Sequence, residues 1–438
     1  MRKLMLMLSL LGLCRFATAQ GLVDVRNVDD DPEKEIIVDN PFYRLVLKAS
    51  TGGTGISLKP KPTNTEMVIP RDGTGLFADA LWQQGMGGDW QDAYSYTVDN
   101  NTPEAAQVTF TLRGRTGNTL RWITIRKSIS VQRDSPVIAV KVRVENEQAS
   151  MEAFRLGYWA HQQIGTMNQD NAHFIPTANG VKQFLVSGSS STQENWMYDA
   201  ARGWIATRAE DGTGVAFRLD YSRLLAFYQW LKGTMQTVEW LYRSQEIPNG
   251  GAFETEYQCI PFCGLPYVDG VGDAVVGAIV FDRQPQPGKS GPAHVALLGG
   301  ESKTAVDLEW KRLPEEKWMS LKATTADLNP GHVENVGFEL LPPQEGSYIL
   351  RCRLSRGGKS VGVLERLLNL GTPSGRYAMD PEAERIGDSG EKSGAPKRGQ
   401  LSKRIEDKWL YEGQAVQHVS LLKDEEVLFR ECRRRAST

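Results

Sequence analysis

From Val23 to about Asp282 the chain reads as one strand after another, and no amphipathic helix interrupts the run. YRLVLKA (43–49), QVTFTLRG (107–114), LRWITIRKSISVQ (120–132) and VIAVKVRVEN (137–146) alternate apolar and polar residues with the period of two that one-sided burial of a strand requires. In GWIATRAEDGTGVAFRLD (203–220) two such runs flank Asp211-Gly212, a hairpin turn signal. So long a succession of strands cannot bury its apolar faces in a small module. It predicts an all-β chain whose first part is a large architecture of packed sheets.

The segment RQPQPGKSGP (283–292) concentrates prolines and glycines and is expected to be a linker that closes a first domain spanning 20–282. Beyond it, AHVALLGG, MSLKATTADLNPG, VENVGFELLPP, GSYILRCRLSRGG and KSVGVLERLLNLG give short strands at the size and rhythm of an immunoglobulin-like β-sandwich over 293–370. Residues 371–400 shift to Gly, Pro, Ser and charge and read as a disordered linker. Residues 401–438 regain Trp409, Val416, Leu421, Leu422 and Phe429 and read as a C-terminal appendage, a candidate contact element for another protein.

The opening MRKLMLMLSLLGLCRFATAQ has a basic start, an apolar run from Leu4 to Leu13 and Ala17-Thr18-Ala19, the pattern of a secretory signal peptide over residues 1–19. The apolar run is shorter than the roughly 20 residues a spanning helix needs, so the expectation is a periplasmic or secreted protein without a membrane anchor. Without Arg2, Lys3 and Arg15 the chain keeps 48 basic residues against 53 acidic ones. That mildly acidic balance argues against nucleic acid as a partner, because clustered positive charge is what binds it. Cys259, Cys263, Cys352 and Cys432 are sparse for an exported chain of 438 residues; buried thiols or a single bridge are both open. The Cys259/Cys263 pair lacks a matching second pair, so no zinc site is expected.

No phosphate-binding loop, H-E-x-x-H, G-x-S-x-G or strand-preceded G-x-G-x-x-G is present, so no cofactor is expected, and five histidines leave little for a multi-histidine metal centre. The layout NPFYRLVLKASTGGTGISLK, the long strand EAFRLGYWAHQQIG, and GWIATRAEDGTGVAF followed by VEWLYRSQEIPNGGAFETEYQCIPFCGL resembles the galactose mutarotase-like, or aldose epimerase-like, superfamily over roughly residues 30–282. The resemblance implies a β-supersandwich and saccharide chemistry. Such enzymes open a sugar ring with a glutamate as general base at the anomeric hydroxyl and a histidine as general acid at the ring oxygen. The matching positions are Glu239 as base and His161 as acid. Period two places Trp159 on the face of His161, and turns Glu239 away from Val238 and Trp240. The chain departs from the family in lacking its asparagine-plus-histidine strand signature and a second positioned histidine.

Sugars are also recognised by rings that stack on the apolar face of a pyranose while amides and acids take its hydroxyls. LWQQGMGGDWQDAYSY (81–96) offers Trp82, Gln84 and Trp90 in a Gly-rich loop; ENWMYDAARGW (194–204) adds Trp196, Tyr198 and Arg202; LLAFYQWLK (224–232) adds Tyr228 and Trp230. Trp122, Trp204 and Trp230 read as core. Asp72, Asp79, Asp89 and Asp92 fit no calcium-loop spacing and read as solvated acids. Three functions stay open: a sugar isomerase of the aldose 1-epimerase type, a non-catalytic polysaccharide-binding accessory protein, and an exported scaffold for another protein. A polysaccharide lyase is disfavoured by the absence of a helical half.

Overall fold

The computed structural model describes residues 21–29, 31–69, 74–81, 92–114, 122–147, 153–167, 169–177, 180–187, 192–198, 200–232, 235–300 and 302–371. Signal, tail and appendage (1–19, 372–400, 401–438) therefore lie outside them. Among the described residues the regular structure is β-strand with short 3-10 turns, and no helix is long and apolar enough to cross a membrane. The all-β expectation holds.

The first part has three large sheets around one core, with a two-stranded ribbon of Phe154–Leu156 and Gln245–Ile247 beside them. A four-stranded meander covers Val23–Arg26 to Thr54–Pro60; nine strands form a second sheet; five strands form the third, in the order Gln193–Met197, Leu224–Lys232, Met235–Tyr242, Tyr158–Gln163, Ala78–Leu81. Alternation decides what meets in the middle. Phe227, Leu231, Val238, Trp240, Tyr242, Tyr158 and Ala160 of the five-stranded sheet join Val108, Phe110, Ile125, Ile129, Val140, Val142 and Phe217 of the nine-stranded one. The odd-numbered residues between Val238, Trp240 and Tyr242 must point the other way, to the outer face of the five-stranded sheet. Asp211-Gly212 is the hairpin turn expected, with Gly212 at φ 86°, where a side chain would strain the backbone.

A buried ion pair ties the last strand of that sheet in place. Lys127 and Asp79 are both buried and meet at 2.8 Å; the ammonium also donates to the carbonyls of Gly52, at 3.0 Å, and Phe77, so its three protons are all used. Tyr158 donates to the other Asp79 oxygen at 2.6 Å, and Gln162 accepts the Phe77 amide at 2.7 Å. These bonds hold Ala78–Leu81 beside Tyr158–Gln163 with His161 opposite Ala78.

Segment 283–292 is not a linker between domains. Val275–Phe281 and Gly291–Gly299 on either side of it are hydrogen-bonded neighbours, paired from Val275/Gly299 to Phe281/Ala293. The segment is their hairpin connection, which demands the same proline and glycine composition as a linker. The second sandwich therefore begins near Gly270, with Gly270–Gly272, Val275–Phe281, Gly291–Gly299 and Glu334–Leu340 in one sheet and Ser302–Arg312, Met319–Leu328, Gly346–Arg356 and Lys359–Leu370 in the other. Its core is Val295, Leu297, Val306, Leu308, Tyr348, Leu350 and Leu354. A further apolar cluster joins the two sandwiches: Phe174, Trp204, Ala216, Ile260 and Phe262 on one side, Val271, Val276, Ala296 and Leu298 on the other. Cys259, Cys263 and Cys352 are free thiols, and burial pushes the Cys352 thiol up to about 12.

Candidate functional site

The outer face of the five-stranded sheet collects the chemistry. Across its strands run two linked ladders, Trp196–Tyr228–Glu239–His161 and Leu241–Trp159–Ala80, each step a register pair. His161 and Glu239 are direct cross-strand partners, with Nε2 to Oε1 at 3.3 Å. Both are buried. The Thr237 hydroxyl, two residues along the same strand and so on the same face, donates to Glu239 Oε1 at 2.5 Å.

Burial sets the protonation of this pair. Loss of solvent raises the Glu239 carboxyl to about 8, against the lowering effect of the Thr237 hydrogen bond and the nearby Trp159 indole, and lowers the His161 imidazole to about 3. A separation of 3.3 Å suits an ion pair or a neutral hydrogen bond equally. Desolvation penalises both charges, so near neutral pH the proton rests on Glu239 and the imidazole is uncharged. That resting state is the reverse of the one from which a glutamate base and a histidine acid would start.

An aromatic cluster adjoins the pair. Trp159 packs on Tyr228 edge to face at 5.9 Å and on Trp196 at 6.1 Å; Trp196 meets Tyr228 at 4.4 Å and stacks on Tyr198 at 6.2 Å with an interplanar angle of 17°. Trp159 and Tyr228 are buried, whereas Trp196, Tyr198 and Trp230 are half-exposed. The rings thus form a slope from solvent at the Gln193–Met197 edge down to the acid–base pair. Glu194 stands beside it, accepting from the Tyr228 hydroxyl at 3.1 Å and the Trp196 indole at 3.4 Å. Glu194 and Thr237 were not among the sequence candidates. Their signal was present: each lies two residues from a candidate, Trp196 and Glu239, and so shares its face.

The structure brings together His161, Glu239, Trp159, Trp196 and Tyr198. Arg202 lies elsewhere, its guanidinium 2.7 Å from Glu365 of the second sandwich, because the chain leaves the sheet after Met197. Trp82, Gln84 and Trp90 fall outside the described residues, as does Asp89. Asp79 is the buried partner of Lys127 and not a solvated loop acid. Trp204 is core as expected, Trp230 belongs to the outer face, and Trp122 is 43% exposed. The one carboxylate group within metal-ligating distance among the described residues, Asp29, Asp31 and Glu35, already surrounds the Lys48 ammonium.

The sequence matches no protein-family model and no curated protein. Solved structures similar to the chain include a TPR-domain containing protein from Parabacteroides distasonis, at 12% identity and a TM-score of 0.41, covering 52% of this chain and 47% of that protein. They also include a galactose mutarotase-like protein from Clostridium acetobutylicum, at 9% identity and a TM-score of 0.41, covering 56% of this chain and 99% of that one. A galactose mutarotase related enzyme from Lactobacillus acidophilus aligns at 13% identity and a TM-score of 0.36, covering 52% and 97%. These are similarities of fold.

Proposed function

We propose that this chain is an exported saccharide-handling protein that seats a pyranose on the aromatic slope of the five-stranded sheet and opens its ring at the anomeric centre. The observation that carries the reading is the cross-strand contact of His161 and Glu239 at 3.3 Å, with opposite burial-driven shifts, at the foot of the ring cluster. Paired groups whose environments push their pKa values apart are what acid–base catalysis at neutral pH needs.

The burial-driven shifts favour these roles. Neutral His161 takes the proton of the anomeric hydroxyl while Glu239 gives its proton to the ring oxygen. The bond between the anomeric carbon and the ring oxygen breaks and an open-chain aldehyde forms. Rotation about the adjacent carbon–carbon bond and reversal of both transfers closes the other anomer, returning one proton to each starting group. Thr237 holds the carboxyl in place, and half-exposed Trp196, Tyr198 and Trp230 supply stacking area, with Glu194 positioned for hydroxyls.

Proton NMR of the protein with reducing hexoses, reading saturation transfer for contact and magnetisation exchange between anomers for turnover, tests this. Glu239→Gln and His161→Ala are each expected to slow exchange by about 10²–10⁴-fold, and Trp196→Ala to weaken contact about tenfold, the equivalent of 1.4 kcal/mol. Contact that persists with no accelerated exchange would leave a binding module, the second reading, which the half-exposed rings favour. No contact with any sugar would remove both.

A further inference from the structure

A cavity of about 500 Å³ lies where the two sandwiches meet, away from the acid–base pair. That volume is in the range of small-molecule sites. One wall is the segment from Ala201 to Trp204 with Arg218 to Ser222; the other is Val271, Gly272 and the stretch from Ser360 to Val363. Glycines let the segments within each wall pack closely against one another. A Cβ on Gly272 would sit 2.3 Å from the Val361 carbonyl oxygen, and one on Gly203 would sit 2.7 Å from that of Leu219.

The charges on the first wall are unequally engaged. Asp220 is spent on the Ser222 amide and hydroxyl, at 3.0 and 2.6 Å, and on Arg223 at 3.2 Å. Arg202 is held by Glu365 at 2.7 Å. Arg218 has its nearest acid, Asp273, at 3.9 Å, and the same Asp273 oxygen accepts from Gln258 at 2.7 Å. Both Arg218 and Asp273 are about half exposed, where so long an ion pair contributes little. Three residues on, Tyr221 presents a 48% exposed ring that its hydroxyl pins by donating to the Ala200 carbonyl at 2.7 Å. A weakly engaged guanidinium and a fixed exposed ring lining one cavity are a matched pair: the planar fork takes a carboxylate through two parallel hydrogen bonds, and the ring takes the apolar face of a pyranose.

We propose that this junction cavity is a second carbohydrate site, distinct from the outer face, that binds a uronate unit, with Arg218 on its carboxylate and Tyr221 under its ring. It stands independently of the ring-opening reading. Ser222 and Ser360 line the cavity on its opposite walls.

The test is calorimetric titration of the full-length protein with trigalacturonate and with its methyl ester, which has the same rings and no charge. Trigalacturonate is expected to bind at least tenfold more tightly than the ester, and its affinity to fall between 50 and 300 mM salt, as a single exposed ion pair requires. Arg218→Gln and Tyr221→Ala are each expected to weaken it by tenfold or more, and Trp196→Ala to leave it unchanged. Equal binding of acid and ester, no binding of the acid, or full affinity in Arg218→Gln overturns the proposal. Loss of trigalacturonate binding in Trp196→Ala overturns it as well, by moving the ligand to the outer face.

Discussion

Glu239 carries a proton that a solvated glutamate would have lost, and that has a measurable consequence for stability. Its carboxyl titrates near 8 in the folded protein against 4.5 when solvated, so between those values the folded chain holds a proton the unfolded chain has released, and stability falls as pH rises. His161 acts in the opposite sense lower down. Its imidazole titrates near 3 when folded and 6.5 when solvated, so stability rises with pH between 3 and 6.5. His173, lowered to about 4 by burial, acts in the same sense as His161; these windows oppose the glutamate's up to 6.5, and above that the glutamate effect dominates. Asp269, raised to about 6 by burial, acts in the same sense as Glu239 and is nearly spent by pH 7. The melting temperature is therefore expected to fall between pH 6.5 and 8, and Glu239→Gln to flatten that limb; a Gln variant with the wild-type slope would mean the carboxyl is already ionised. Lys127 offers a second test at this scale. Its removal leaves Asp79 charged and buried, with the Gly52 and Phe77 carbonyls short of a donor, so Lys127→Ala is expected to cost about 3–5 kcal/mol in urea unfolding. A loss under 1 kcal/mol would show that water reaches the site.

Strand parity was legible in the sequence, and strand neighbourhood was not. Period two correctly turned Glu239 away from Val238 and Trp240 and put Trp159 with His161, because a pleated strand allows nothing else. That His161 faces Glu239 across a ladder depends on register between strands far apart in the chain, which no local pattern encodes. Arg202 lies apart from the ring cluster for a related reason: proximity in sequence to Trp196 and Tyr198 says nothing once the chain turns out of the sheet. Glycine shows the same limit, since its spacing does not reveal where backbones nearly touch. On the short strand Gly270–Gly272, a Cβ at Gly272 would meet the Val361 carbonyl oxygen at 2.3 Å, and a backbone atom cannot swing aside. Gly272→Ala is expected to cost about 1–3 kcal/mol through forced separation of the strands. Gly337→Ala, where a Cβ meets nothing within 4 Å, is the control and is expected to stay within about 0.5 kcal/mol. Equal urea midpoints for the two variants would show that the close approach carries no weight.

The molecule as a whole is held across the boundary that composition suggested would divide it. Prolines and glycines at 283–292 mark a turn in either case; what separates a hairpin from a linker is whether the flanking strands pair with each other, and that is a non-local fact. Here seven register pairs join Val275–Phe281 to Gly291–Gly299, and behind that sheet Val276, Ala296 and Leu298 pack on Trp204, Ala216 and Phe262 of the first sandwich. An interface built from buried apolar side chains should make the two sandwiches unfold together and not as hinged units. The exposed turn from Gln286 to Lys289 allows a direct check, because a protease site placed there cuts the chain outside the ladder that joins Val275–Phe281 to Gly291–Gly299. After cleavage the two pieces are expected to elute as one species in gel filtration and to separate only in denaturant, with a single calorimetric transition before and after the cut. Separation of the nicked pieces in native buffer would return 283–292 to the role of a linker between independent domains, and would dismantle the junction cavity along with the uronate site assigned to it.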